Sequence, residues 1–366
     1  MTETGSGDPS PLRVLQAMAS KGLGGIERAF ITLETTLTAH GAAVTNLVQP
    51  GTPVLDELSP DARARTHGIR NHGQWDLWAV WRTARLIDQV RPDVLISHGR
   101  RPATLLRRAA ALSKQGRRAA QVDFLHRYSM KHLHRSDLVI SVSADLKREA
   151  EKAGIAADRV VFLPNMLPDD RPAAPPRPRP EVPVIGTLGR FVANKGFDVL
   201  IEAAEYLAAR NVTFRLVIGG SGPLEAALKA QAEAARQRQP ALQIEFVGWV
   251  SDQTGFFAGI DLLCIPSRWE PFGIVILEGF HHHRPVVAAA AIGPSEVIND
   301  GQDGLLVPLE APEALAEALA SLLNDPGRCE SLVAGGQETL KRYRPDAVGP
   351  ALVAALDQAV AVKRSV

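Results

Sequence analysis

One stretch of this 366-residue chain limits its architecture more than any other: LPDDRPAAPPRPRPEVP, from Leu167 to Pro183, where prolines recur too densely for a strand or helix to run through. The same pattern is written on either side of it. Before it, LRVLQAM, AAVTNLVQP, PDVLISHG, AAQVDFLHR and SDLVISVS read as β-branched strands separated by helical stretches. After it, VPVIGTLGR, FRLVIGG, IEFVGWV, DLLCIPS, RPVVAAA and GLLVPL do the same, with helices such as GFDVLIEAAEYLAAR between them. Alternation of this kind predicts a parallel, doubly wound α/β sheet. The chain is long enough to bury two such cores, and two Rossmann-like domains are therefore expected. Residues 1–10 are expected to be a disordered polar N-terminus, 11–168 the first domain, 169–182 the linker and 183–344 the second domain. Residues 345–366 read as a final helix with no strand after it, expected to cross back and brace the first domain. No repeat of 20 to 50 residues is present.

Composition excludes several classes. Apolar residues make up 45% and charged residues 22%, as in an ordinary globular protein. The two cysteines, Cys264 and Cys329, supply neither a disulfide framework nor a zinc-ligand spacing. The start, MTETGSGDPSP, has no apolar signal region, and no run approaches the roughly 18 apolar residues of a membrane span. A cytoplasmic protein is expected. Net charge is +1 but unevenly placed, with 23 Lys and Arg against 16 Asp and Glu up to residue 168, and 18 against 24 beyond it. The cluster Arg100, Arg101, Arg107, Arg108, Lys114, Arg117 and Arg118 is either a solvated helix face or a surface for an anionic acceptor or a peripheral membrane contact. It is not interleaved with aromatics, so a nucleic-acid partner is not expected.

The most informative motif is SRWEPFGIVILE, where Glu270 follows a strand and Glu278 lies eight positions on, inside the next helix. Pro271, Phe272 and Gly273 suit a sharp turn opening onto a helix N-terminus, whose free N–H groups at Phe272 to Ile274 make an anion site for a diphosphate. A carboxylate one or two turns inside such a helix can reach a ribose diol, as acidic residues do in dinucleotide-binding folds. A second motif, GTLGRFVANKGFDVLIEA, puts Arg190 and Lys195 in the loop after the second domain's first strand, where two cations can neutralise a departing nucleoside diphosphate. In the first domain SKGLGGIERAF sets Gly22, Gly24 and Gly25 between strand and helix, ahead of Glu27 and Arg28. This is not a GxGxxG fingerprint. His98, Asp123 and His126 sit at strand ends and are candidates for a polar group or general base near an acceptor hydroxyl.

Most of residues 183–325 resembles the retaining glycosyltransferases of family 4, which have the GT-B fold: two Rossmann-like doubly wound domains facing a central cleft. The likeness rests on SRWEPFGIVILE together with RPVVAAAAIGPSEVINDGQDGLLVP, which carries the Pro-Val-Val run, a Gly/Pro turn before Glu296 and a Gly-Leu-Leu-Val strand. It implies a metal-independent hexosyl transfer from a nucleotide diphosphate sugar, UDP- or GDP-linked, with retention and with no cofactor. Glu270 would contact the donor sugar, Glu278 the ribose, and Arg190 and Lys195 the phosphates. Gly24 and Gly25 would let donor and acceptor approach. FLHRYSMKHLHRSDLVISVS resembles the family's stretch bearing an active-site histidine, which makes His126 the first choice and His98 the second. The absence of any Asp-x-Asp pair agrees with independence from a metal. Two features depart from the family's pattern, the histidine run and Ile292, whereas the turn at Gly219, Gly220 and Gly222 resembles it. His281, His282 and His283 replace small residues, and consecutive helical residues cannot form one metal face, so they read as packing or solvent residues. Ile292 stands where a second glycine is usual. Gly219, Gly220 and Gly222 read as a structural turn. The expected role is synthesis of an envelope glycan, lipopolysaccharide or glycolipid. A nucleotide-sugar epimerase of the same fold, or an inactive nucleotide-sugar-binding regulator, stands as the alternative.

Overall fold

The computed structural model describes residues 11–20, 22–70, 73, 76–168, 172–175 and 180–365. The N-terminal segment 1–10 and parts of the proline-dense stretch, 169–171 and 176–179, lie outside them. The chain forms two compact units, Met1–Met166 with Pro345–Val366, and Leu167–Arg344.

In the first unit the strands are β1 (Arg13–Ala17), β2 (Ala43–Val48), β3 (Thr66–Gly68), β4 (Val94–His98), β5 (Ala120–Leu125), β6 (Leu138–Ser141) and β7 (Val160–Phe162). Between them run α1 (Gly25–Ala39), α2 (Val54–Glu57), α3 (Pro60–Ala64), α4 (Leu77–Val90), α5 (Arg100–Leu112) and α6 (Ala144–Lys152). The sheet is parallel, in the order β3-β2-β1-β4-β5-β6-β7. Its central strands read as apolar runs because both faces are covered. Every residue of β4 and β6 is buried. Helix boundaries follow local chemistry, as at α4, where Asp76 accepts the Ala79 N–H at 3.0 Å and Arg91 closes the far end at φ 52°.

The second unit holds β8 (Val184–Leu188), β9 (Arg215–Gly219), β10 (Gln243–Gly248), β11 (Leu262–Ile265), β12 (Val286–Ala289) and β13 (Leu305–Val307). Its helices are α7 (Phe197–Ala209), α8 (Glu225–Arg238), α9 (Gln253–Ala258), α10 (Ile274–His281), α11 (Ile292–Val297), α12 (Pro312–Asn324) and α13 (Pro326–Leu340). This sheet too is parallel, ordered β10-β9-β8-β11-β12-β13. Each sheet therefore reverses direction once, between β1 and β4 in the first and between β8 and β11 in the second. Those two points, outside the carboxyl ends of the strands, are where doubly wound sheets hold ligands.

The last helix, α14 (Pro345–Ser365), belongs to the first unit and packs on α1. Gly349 makes the approach possible, since a Cβ there would lie 2.3 Å from the ring of His40. Lys363 and Arg364 at its end pair with Asp137 (3.3 Å) and Asp93 (3.2 Å). The described part of the proline-dense stretch is held by the second unit. Leu167 donates its N–H to Tyr343 O (2.9 Å), Arg344 donates to the carbonyls of Leu167 and Pro168, and the Ala174 N–H donates to His282 Nδ1 (2.9 Å).

Candidate active site

At the reversal point of the second sheet, the loop after β8 lies on the loop after β11. Gly196, at φ 65°, permits this, because a Cβ there would fall 2.0 Å from the Pro266 carbonyl oxygen. Backbone bonds join the two loops: the Arg268 N–H donates to Asn194 O at 2.9 Å, and Asn194 Nδ2 donates to Trp269 O at 3.2 Å. Arg268 reinforces the joint. Its guanidinium bonds both oxygens of Asp198 (2.6 Å each), the carboxylate of Glu310 and the carbonyl of Ala193 (2.9 Å). Hydrogen bonding from Arg268 holds the Asp198 carboxyl below its ordinary pKa.

The result is that Lys195 Nζ and Glu270 Oε2, 75 residues apart in sequence, form a direct ion pair. Gly273, at φ 90°, then opens α10. Phe272 is buried with its ring edge-on to Tyr343 at 5.7 Å, so its contribution to a ligand would come from the backbone at the helix start, as for Gly273 and Ile274. Glu278 lies just over a turn inside α10 and is 5% exposed. The start of α11 closes on the same loop, with Gly293 donating to Glu270 O at 2.9 Å. Arg190 is exposed on the β8 loop and takes no part in the Lys195–Glu270 pair. Of the three consecutive histidines, His281 meets Arg344 (3.3 Å), His282 stacks on Phe257 (4.4 Å), and His283 is exposed at φ 55°, a conformation glycine usually supplies.

In the first unit, Gly24 donates its N–H to Glu27 Oε2 (2.8 Å), fixing the start of α1, and Gly25 is exposed beside it. His98, the last residue of β4, and His126, just beyond β5, prove to be neighbours, with His98 Nδ1 3.0 Å from His126 Nε2. His98 stacks on Phe124 and meets Phe30 edge-on. Burial drives its pKa well below the ordinary histidine value and takes that of His126 down to about 3, with Arg127 adding to the second effect. Asp123 does not join them. Strand alternation turns it to the other face of the sheet, where it accepts from Ser97 Oγ and Ser136 Oγ and pairs with Arg107.

This pair corrects the sequence reading of the basic cluster. Arg107 is not part of a membrane-facing surface, because it sits on the buried side of α5 and its charge is spent on Asp123. Arg100, Arg101, Arg117 and Arg118 are exposed, and Arg108 is partly so. On the neighbouring helix α4, Leu77 (75%), Trp78 (64%) and Trp81 (44%) are exposed. Trp78 and Trp81 stack at 5.0 Å, and the Arg85 guanidinium lies over the Trp81 ring. Among the described residues no helix is long and apolar enough to cross a membrane, and no cluster of three His, Cys, Asp or Glu is arranged to hold a metal ion.

Two parallel doubly wound units, each with its order reversing once, have the GT-B architecture. Residues 182–325 match the group 1 glycosyl transferases, and residues 23–171 match glycosyltransferase family 4. The chain belongs to this family of glycosyltransferases. It is 28% identical over 345 residues to the lipopolysaccharide core biosynthesis glycosyltransferase LpsD of Rhizobium meliloti (strain 1021), covering 92% of this chain and 96% of that protein. LpsE of the same organism, of the same description, is 27% identical over 324 residues, covering 87% and 91%. Among solved structures, Anabaena Alr3699/HepE in complex with UDP and glucose superposes with a TM-score of 0.79 at 19% identity, covering 95% of this chain and 100% of that one. At that identity the likeness speaks for the fold.

Proposed function

We propose that this glycosyltransferase moves a hexosyl group, with retention and without a metal, from a nucleoside diphosphate sugar to a hydroxyl of an envelope glycan of the lipopolysaccharide core class. The observation that carries the reading is the Lys195–Glu270 ion pair set against the N-terminus of α10, with Glu278 inside that helix. Without ligand the two charges satisfy each other. A bound diphosphate takes over Lys195, and Glu270 is released to hold sugar hydroxyls. Arg190 and the free N–H groups of α10 add positive potential where the leaving diphosphate gains charge. Glu278 accepts from the ribose hydroxyls. In the transfer the acceptor oxygen bonds to the anomeric carbon, the bond from that carbon to the diphosphate breaks, and the acceptor proton leaves with the diphosphate. His126 contacts sugar or acceptor in the first unit, with Gly24 and Gly25 giving backbone access. UDP is the first nucleotide to try, because HepE was solved with it. The acceptor class is taken from the two lipopolysaccharide core relatives.

Peripheral membrane contact belongs to the same reading. It is supported by exposed Arg100, Arg101, Arg117 and Arg118, with Arg108 partly exposed, and by the exposed Trp78–Trp81 pair on the adjacent helix, since aromatic and basic side chains together favour a membrane interface.

The test is a transfer assay with UDP-, GDP- and ADP-sugars and a truncated lipopolysaccharide core acceptor in the presence of EDTA. Transfer from one donor, with the α-linkage of the donor kept in the product, is expected. A requirement for a divalent ion, an inverted product, or an epimerised donor in place of a transferred sugar would each overturn the corresponding part of the proposal.

A further inference from the structure

A file of polar side chains runs across four neighbouring strands of the first sheet to the loop after a fifth, and its bonds have only one consistent direction. Thr66 Oγ1, on β3, donates to the Ala62 carbonyl at 2.7 Å and accepts from Asn46 Nδ2, on β2, at 3.2 Å. Asn46 Oδ1 accepts from Gln16 Nε2, on β1, at 2.7 Å, and the same nitrogen donates to the Phe30 carbonyl at 3.3 Å. Backbone carbonyls only accept, so both amides are locked in orientation. Gln16 and Asn46 are fully buried, so their amides must find hydrogen-bond partners inside the protein, and the partners named above fit one orientation. Gln16 Oε1 is thereby the atom that faces His98 Nε2, at 3.3 Å, and it must accept. His98 therefore carries its hydrogen on Nε2, which leaves its Nδ1 as the acceptor for the hydrogen on His126 Nε2, 3.0 Å away.

Resting on the proposal that His126 contacts sugar or acceptor, we infer that His98 is a positioning residue. Held by Gln16 and Asn46, it fixes His126 as the Nε2–H tautomer, so that His126 Nδ1 presents a lone pair to a hydroxyl of the bound sugar or acceptor. No described residue occupies that nitrogen. Burial and the neighbouring Arg127 keep His126 neutral, so near neutral pH it accepts a hydrogen bond and aims the hydroxyl, without removing the proton. Phe30 and Phe124 keep the His98 ring from turning and so protect the direction of the file.

The experiment is a two-bond proton–nitrogen NMR spectrum of full-length protein labelled with nitrogen-15 histidine, with signals assigned from His126→Gln and His98→Phe. Both rings should show protonated Nε2 and bare Nδ1, unchanged across about pH 6 to 8. Gln16→Leu removes the acceptor for His98 Nε2–H. It should move His126 to a mixture of tautomers and lower kcat about tenfold, the worth of one neutral hydrogen bond, with the donor KM unchanged. His126 protonated on Nδ1 in the wild type would overturn the inference, whatever Gln16→Leu does. So would an unmixed His126 tautomer in folded Gln16→Leu. The expected tautomers with full transfer by His126→Gln would instead overturn the contact assigned to His126, and with it the positioning role, leaving the donor site of the second unit standing.

Discussion

Replacing Arg268 by methionine should lower the stability of the second unit by about 1.5 to 3 kcal/mol and loosen donor binding with it. The arginine bonds Asp198 through two nitrogens at 2.6 Å, Glu310, and the Ala193 carbonyl at 2.9 Å. Fully buried, bonds to charged groups contribute about 1.5 to 3 kcal/mol each. Here the side chains of Arg268, Asp198 and Glu310 are 28%, 44% and 55% exposed, which moves each ion pair toward the roughly 0.2 to 1 kcal/mol of surface pairs. Two discounted pairs and one carbonyl bond of about 1 kcal/mol give the total. In a unit of this size that is a fall in Tm of about 3 to 12 °C, read by differential scanning calorimetry. The sign of the pH dependence follows from Asp198. Its pKa is depressed in the folded protein, so the stabilisation is present above the unfolded carboxylate value of about 3.9 and is lost as pH falls through the lower, folded value. The difference between wild type and variant should therefore shrink as pH falls below about 4. Because Arg268 holds the loop of Lys195 to the loop of Glu270, affinity for a nucleoside diphosphate should weaken too. A variant that melts within a degree or so of wild type and binds the diphosphate equally well would refute the reasoning.

Two further outcomes follow from packing. Asp123→Ala leaves the Arg107 charge partly buried and unpaired and should cost about 3 to 5 kcal/mol in urea unfolding, whereas the double variant Asp123→Ala with Arg107→Met should recover part of that loss. Gly349→Val drives a side chain into His40, which is itself held by a 2.8 Å bond to Thr36 O, and should destabilise the docking of α14 by about 1 to 3 kcal/mol, seen as faster amide exchange in that helix.

Much of this molecule is legible in its residues, for reasons that also explain what is not. The central strands announce themselves because burial on both faces leaves them nearly continuous apolar runs, as in VLISH and LLCI. The edge strands β3 and β7, three residues each, leave no such trace. Arg190 and Lys195 stand out because each lies in the loop after a strand with a glycine beside it, and Glu270 and Glu278 because they bracket the Pro271–Gly273 turn that opens α10. Arg268 does not, since Asp198 and Glu310 lie 70 and 42 residues away and no local spacing links them. His98 and His126 look like rivals in the sequence. The register of β4 on β5 pairs His98 with Phe124, two residues before His126, and makes the two histidines partners. The clue available beforehand was the presence of Gln16 and Asn46 inside otherwise apolar strand runs, where an unpaired amide would be costly. Arg107 could likewise have been separated from its basic neighbours by helical phase, since it falls four residues after buried Ala103 and one after buried Leu106.

The most direct test of the donor site is a thermal-shift titration of wild type and Glu278→Ala with UDP, GDP and ADP in the presence of EDTA. Each protein is compared with its own ligand-free melting point, so any intrinsic effect of the substitution cancels. A ligand that binds only the folded state at about a hundred times its Kd adds about 2.7 kcal/mol of stability. The account predicts that one diphosphate raises the melting temperature of wild type without a metal, and that the rise is largely lost in Glu278→Ala. No shift with any of the three, a shift that appears only when a divalent ion is restored, or an equal shift in the variant would contradict it.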